Sequence, residues 1–260
     1  MSAEFAQLRE RIANIDRGLL SLLEQRLELA AEVGRLKAAQ NQPIVVRHVE
    51  QNVLKRARDA AERCGTSPEV LEAVFAAIIR ASVERQHRVG VTERVREGGR
   101  ILILGAAGGM GGWLRSFLSS LGHRPVGVDR SWAALAPAED RFGRLADVPD
   151  PAELAAIFVA TPLETMPETL RELAATGLRV PVVEIASIKS HLAEPLAELE
   201  EAGMMPLALH PMFGPGKNPY EPLTMVHAVR GDEADERERL TELLAHPYLD
   251  LVSLPFGQHD

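Results

Sequence analysis

Residues 101–111 read Ile-Leu-Ile-Leu-Gly-Ala-Ala-Gly-Gly-Met-Gly, an apolar run that stops at glycine and leads into a helix-compatible stretch. Four aliphatic side chains in a row suit a strand buried on both faces, and Trp113, Phe117 and Leu121 recur beyond the turn at helical steps. Glycine at 105, 108 and 111 lets the backbone turn tightly and approach a pyrophosphate, which the helix N-terminus then stabilises. A glycine-rich turn alone is a weak signal, and the spacing here is GxxGxxG rather than GxGxxG; the strand before it and the helix after it supply the context.

Working outward, Pro125–Val128, Ile157–Ala160, Val180–Ile185 and Pro206–Leu209 are further short apolar runs separated by helix-like stretches. Alternating β and α elements predict a Rossmann-like α/β domain over residues 100–260, with a parallel sheet covered on both faces. Asp129 ends the second run, where a carboxylate can accept hydrogen bonds from an adenosine ribose, which favours NAD over NADP. Arg130 beside it could stack on adenine or tolerate a 2′-phosphate. Met110 lies inside the glycine turn, and Thr161-Pro162, Ser187-Ile-Lys189 and His210-Pro211 fall at the ends of later strands, where open parallel sheets bind ligands. A lone histidine is usually a surface residue, but one that follows Leu207–Leu209 and precedes Pro211–Pro215 is aimed at that crevice.

The first third of the chain has a different grammar. From Glu4 to about Ala39 there is no proline, and Leu8, Ile12, Ile15, Leu19, Leu22, Arg26, Leu29, Val33 and Leu36 recur at steps of three and four, the mark of one long amphipathic helix. A second helix follows Pro43 and runs to the Cys64-Gly65 stop; a third starts at Ser67-Pro68, a capping residue with proline at the first helical position, and ends near Arg88. These read as an all-α domain over 1–90, a polar linker over 91–99, and the α/β domain over 100–260.

Charge separates the two parts: residues 1–100 carry +3 and the remainder −11. So acidic a second part argues against nucleic acid, whose binders carry basic faces. No apolar run approaches a membrane span, the start has neither a basic segment nor an apolar one, and Cys64 is the sole cysteine, which together predict a cytoplasmic protein.

The long helix is most informative where its stripe fails. Arg26 occupies an apolar position, and Lys37 lies eleven residues on, three turns along nearly the same face. In the third helix Leu71, Val74, Phe75, Ile78 and Ile79 define a buried face that Ser82 and Gln86 continue. Any one such cation could pair with Glu28, Glu32 or Glu50 in a structural network. As a set, Arg9, Arg26, Lys37, Glu50, Ser82 and Gln86 suit a cavity for a small polyanion. So long a stripe also predicts a homodimer through the first helix.

Leu8-Arg-Glu-Arg-Ile12, Arg26–Ala30, Glu32-Val-Gly34, Lys37 and Ser82…Gln86 resemble the helical chorismate mutases. The resemblance implies conversion of chorismate to prephenate, a pericyclic step that needs only binding of the compact conformer and charge stabilisation. It implies that Arg26, with Arg9 of a partner chain, holds the two carboxylates, that Lys37 and Gln86 meet the breaking ether oxygen, that Glu50 meets the ring hydroxyl, and that Ser82 is a lesser contact. Where that family usually carries an arginine before the glutamate this chain has Val49, with Arg47 two residues earlier.

His210-Pro-Met-Phe-Gly-Pro215, Ala186-Ser-Ile-Lys189 and the glycine loop resemble prephenate dehydrogenase, in the form fused behind a chorismate mutase. That resemblance implies NAD-dependent oxidative decarboxylation of prephenate to 4-hydroxyphenylpyruvate, with His210 accepting a hydrogen bond from the ring hydroxyl and Ser187 orienting both. Activity then rises with pH through a histidine pKa of ~6.5. At Gly257–Asp260 the family continues into a helical domain that supplies an arginine, so a shortened dehydrogenase is expected. Two alternatives follow: an active mutase with a dehydrogenase domain that binds NAD without turnover, and a non-enzymatic dinucleotide sensor on a helical dimeriser.

Overall fold

A computed structural model describes residues 3–40, 42–92, 97–134 and 139–260. The chain divides into two compact units, Met1–Glu93 and Arg94–Asp260. The middle of the expected linker, residues 93–96, lies outside the described residues.

The first unit is three helices, α1 (Ala3–Ala39), α2 (Arg47–Cys64) and α3 (Pro68–Thr92), the last running past the end near Arg88 that the sequence suggests. α3 packs on both others. It comes close to α1 at Gly34, where a Cβ would sit 2.8 Å from the Gln86 Cα, so the absence of a side chain there lets Gln86 lie against α1. The core of this unit is small, with Ala30, Ala31, Ala57 and Ala61 buried. The α1 stripe is largely uncovered in the protomer: Ile12, Ile15, Leu19, Leu22, Leu29 and Leu36 are each 58–64 % exposed. On α3 the anticipated buried face is half-buried at Leu71, Phe75, Ile78 and Ile79, and Val74 is exposed.

The second unit is built on an eight-stranded sheet. Its elements are β1 (Arg100–Leu104), α4 (Gly109–Ser120), β2 (Arg124–Val128), β3 (Arg141–Phe142), β4 (Leu154–Val159), α5 (Met166–Ala174), β5 (Pro181–Glu184), α6 (Ala193–Glu201), β6 (Met205–Pro211), β7 (Leu223–Val229), α7 (Glu233–Leu243) and β8 (Leu249–Pro255). The order is β3-β2-β1-β4-β5-β6-β7-β8, parallel from β3 through β6. Each of the five apolar runs read from the sequence is a strand of this parallel part. The chain then departs from a purely parallel sheet. β7 is antiparallel to β6, because the segment joining them holds no crossover helix to carry the chain back, and β8 pairs parallel with β7. β3, β7 and β8 escape a reading by apolar runs: β3 is two residues long, and the other two mix exposed with buried positions.

Ile101, Leu102 and Ile103 are fully buried, as strands covered on both faces require. One side of the core gathers Leu102, Leu104, Ile157 and Val159 with Leu170, Leu173, Leu196 and Leu199 of α5 and α6. The strand order reverses between β1 and β4, which opens a crevice at their carboxyl ends. Among the described residues no helix is long and apolar enough to cross a membrane.

Candidate active sites

In the helical unit the pitch of each helix decides which polar side chains meet. Arg26 and Lys37 share a face of α1, Ser82 and Gln86 share a face of α3, and Glu50 stands in the first turn of α2. All five line one cavity of about 300 Å³, with Val33, Ile44, Val46, Val49, Val53, Ile79 and Val83 as its apolar wall.

Arg26 donates to the Ser82 hydroxyl and to the Ile78 carbonyl (3.3 Å), and Ser82 donates to the same carbonyl (2.9 Å). Among the described residues these partners are neutral, so the guanidinium is aimed without being neutralised. Lys37 donates to the Ile44 carbonyl (2.6 Å). Burial pushes its pKa down, opposed by the nearby Glu50 carboxylate. The Gln86 amide oxygen is buried with no hydrogen-bond partner among the described residues. Leaving such a group unsatisfied costs about 1–3 kcal/mol, which only a hydrogen-bond donor entering the cavity can return. Two cations and one carboxylate leave the cavity positive.

Arg9 is exposed and outside this cavity. It lies seventeen residues before Arg26 on one helix, roughly 26 Å along the axis, so it cannot reach the cavity of its own chain. Val49 stands on the cavity wall and is half exposed, whereas Arg47 is exposed and is not among the lining residues.

In the second unit Gly105 adopts a positive φ of 80°, and a Cβ there would meet the Ala160 carbonyl at 2.7 Å. A Cβ at Gly111 would lie 2.1 Å from the Gly105 oxygen, so α4 approaches β1 only because that side chain is absent. Gly108 caps α4 in extended conformation. These three glycines, with Met110, put the first turn of α4 over the crevice. Asp129, just past β2, accepts from Ala107 N (3.0 Å), Ser131 N (2.9 Å) and the Ser131 hydroxyl (2.7 Å). Burial raises its pKa, but those donors outweigh it and hold the carboxyl below its ordinary range.

Two cavities meet at this turn. One, of about 560 Å³, is lined by Gly105, Val128, Asp129, Arg130, Arg144, Thr161 and Pro162 among others. The second, of about 300 Å³, is lined by Met110, Thr161, Pro162, Ser187, His210 and Phe213 among others. Thr161 and Pro162 wall both, and the Thr161 hydroxyl is buried without a partner among the described residues. An elongated ligand with two halves, its polar centre at the glycine turn and Thr161, fits this layout, and a dinucleotide has that form. Arg130 lines the first cavity, paired with Glu172 (3.3 Å).

Ser187 and His210 share the smaller cavity, yet the His210 ring is oriented by another partner: its Nδ1 lies 3.1 Å from Nε2 of His259. His259 Nδ1 lies 3.0 Å from Asp260 Oδ1. Burial lowers the His210 pKa, helped by His259 and Lys189 and opposed by Asp260. His259 and Asp260 carry no helical or strand-end signal, and no spacing rule ties them to His210. Phe256, just after β8, packs on the core and turns this segment inward.

Lys189 does not face the crevice as its strand-end position suggests. It is fully buried, its ammonium donating to Glu184 (2.5 Å) and to the Leu209 carbonyl (2.9 Å), because Glu184 needs a counter-charge at the core. Burial pushes the Glu184 carboxyl up and the Lys189 ammonium down, and each partner resists the other's shift. Together they tie the Ser187 loop to β6. The segment after His210 is anchored on α4: Trp113 packs on Phe213 with ring centroids 4.7 Å apart and donates to the Lys217 carbonyl (2.7 Å).

The chorismate mutase type II family profile matches residues 8–87. The chain is 30 % identical over 217 residues to the T-protein of Enterobacter agglomerans, covering 83 % of this chain and 54 % of the relative. It is 31 % identical over 210 residues to the T-protein of Haemophilus influenzae, covering 80 % and 52 %. The chain thus spans about half the length of the curated relatives it matches. A protein assigned as a prephenate dehydrogenase in Corynebacterium glutamicum superposes on 63 % of this chain and 58 % of its own, with a TM-score of 0.51 at 18 % identity, a likeness of fold. Residues 8–87, three helices bearing a cationic cavity, thus match the type II chorismate mutase profile, and the chain with its following Rossmann-like sheet is similar to about half the length of two bacterial T-proteins.

Proposed function

We propose that the chain is a chorismate mutase joined to an NAD-dependent prephenate dehydrogenase, acting as a cytoplasmic homodimer on successive substrates of tyrosine biosynthesis. The observation that carries the reading is the gathering of Arg26, Lys37, Glu50, Ser82 and Gln86 around one cavity, with no counter-carboxylate on Arg26 among the described residues. Arg26 holds one carboxylate of chorismate and Arg9 of a second copy holds the other. Lys37 and Gln86 donate to the ether oxygen as the bond breaks, and Glu50 accepts from the ring hydroxyl. Fixed donors aimed at developing charge accelerate such a rearrangement without any proton transfer.

The dimer rests on the uncovered α1 stripe. Burying a leucine or isoleucine contributes roughly 1.5–3 kcal/mol, and six such side chains stand exposed along one helix. Pairing would also supply the distant Arg9. Mixing Arg9→Ala chains with Arg26→Ala chains tests both points: random re-pairing should restore roughly a quarter of the sites, whereas no rescue would sink the shared site.

In the second unit Gly105, Gly108, Met110 and Gly111 bring backbone to the pyrophosphate, Asp129 accepts from the ribose, and Thr161 and Pro162 flank the dinucleotide. When bound, NAD accepts a hydride. Asp129, held as a carboxylate, favours the free ribose over a 2′-phosphate. His210 accepts a hydrogen bond from the ring hydroxyl of prephenate, and Ser187 lies in the same cavity to meet that hydroxyl. Chorismate loss and NADH formation, followed separately with and without NAD, test the whole reading. Chorismate loss that needs NAD, or NADH formation that survives His210→Asn, would overturn it.

A further inference from the structure

His210 leads a chain of hydrogen bonds that the reaction above does not use. Asp260 Oδ1 accepts from Lys189 N and Oδ2 from Ser190 N, both at 2.7 Å, so two backbone donors fix the carboxylate. A carboxylate only accepts, so the 3.0 Å contact to His259 Nδ1 places the proton on that nitrogen. A neutral imidazole has one donor and one acceptor, which leaves His259 Nε2 an acceptor. Its 3.1 Å contact with His210 Nδ1 then requires the proton to sit on His210 Nδ1. The remaining nitrogen, His210 Nε2, has no protein partner among the described residues, and the ring lines the cavity shared with Ser187.

We propose that Asp260 and His259 are positioning residues that hold His210 as the Nδ1–H tautomer, presenting Nε2 as a bare acceptor to the substrate. What Nε2 accepts from rests on the dehydrogenase reading; the tautomer does not. Left alone, either nitrogen of a histidine can carry the proton, and a ring protonated on Nε2 would turn a donor toward a hydroxyl that must itself donate. An imidazolium at His259 would donate from both nitrogens and reverse the chain. The groups facing His210 are therefore His259 and Asp260 on one side and the buried Lys189–Glu184 pair, which reaches β6 through the Leu209 carbonyl.

The test uses the full chain with ¹⁵N-labelled histidine, His210 being assigned by its loss in His210→Gln. The wild type should show His210 protonated at Nδ1 and bare at Nε2. Asp260→Asn keeps a carbonyl oxygen for only one of the two backbone donors and no longer obliges His259 Nδ1 to donate, and His259→Phe removes the acceptor. In both variants the His210 proton should shift toward Nε2, with kcat for prephenate oxidation falling about ten- to hundredfold. A wild-type His210 protonated at Nε2, or a wild-type tautomer retained in Asp260→Asn, overturns the proposal and leaves Asp260 a pin for residues 189 and 190. A wild-type chain with the assigned tautomer that forms no NADH from prephenate overturns the dehydrogenase reading alone.

Discussion

Replacing Gly111 by alanine puts a methyl group 2.1 Å from the Gly105 carbonyl oxygen and 2.8 Å from the Ala106 Cα, both backbone atoms. Since neither can swing aside, the first turn of α4 must retreat from β1 by about 1 Å to restore ordinary contact in a close-packed interior. Overpacking of this kind costs about 1–3 kcal/mol. For a unit the size of residues 94–260 that lowers its Tm by about 2–12 °C. The same retreat carries the turn's N–H groups beyond the ~2.7–3.2 Å range of a hydrogen bond to a pyrophosphate, and NAD affinity should fall at least about tenfold. Gly112 is the control: a Cβ there meets nothing within 4 Å, so alanine in the helix should be neutral or stabilise by about 0.5–1 kcal/mol. Calorimetric unfolding and NAD titration of both variants, with chorismate turnover as an internal check, decide the matter. Equal effects from the two alanines, or a Gly111→Ala chain with wild-type Tm and Kd, would refute the argument that the turn is closed by steric necessity.

Three further outcomes follow. Arg26→Ala should lower mutase kcat/KM by about two decades while circular dichroism shows the helices intact; near-normal turnover would remove this cavity as the site. Val49→Arg adds a cation at the cavity wall and should lower KM for chorismate about tenfold, whereas an unchanged KM would show that Arg47 or another cation already serves. Burial, with His259 and Lys189, holds His210 below its ordinary 6.5, and the neutral ring is the working form. The acid limb of kcat/KM for prephenate should therefore lie below pH 6.5, and a limb at or above it contradicts the environment described here.

The long α1 helix, the strand–turn–helix at 101–111 and the five parallel strands were legible in the sequence because each depends on a local repeat: helical pitch, an apolar run, or glycine where a side chain cannot fit. Helical pitch also grouped Arg26 with Lys37 and Ser82 with Gln86. The apolar runs do not announce that β7 reverses, which follows from a joining segment that holds no crossover helix. The inward turn of Lys189 follows from the buried Glu184 carboxyl, which only the packed core creates. The contact of His210 with His259, 49 residues away, depends on the path through β7, α7 and β8, and on Phe256 packing against the core. Periodicity within a segment tells which face is buried; which distant side chain completes a site is decided when separate segments compete for the same interior.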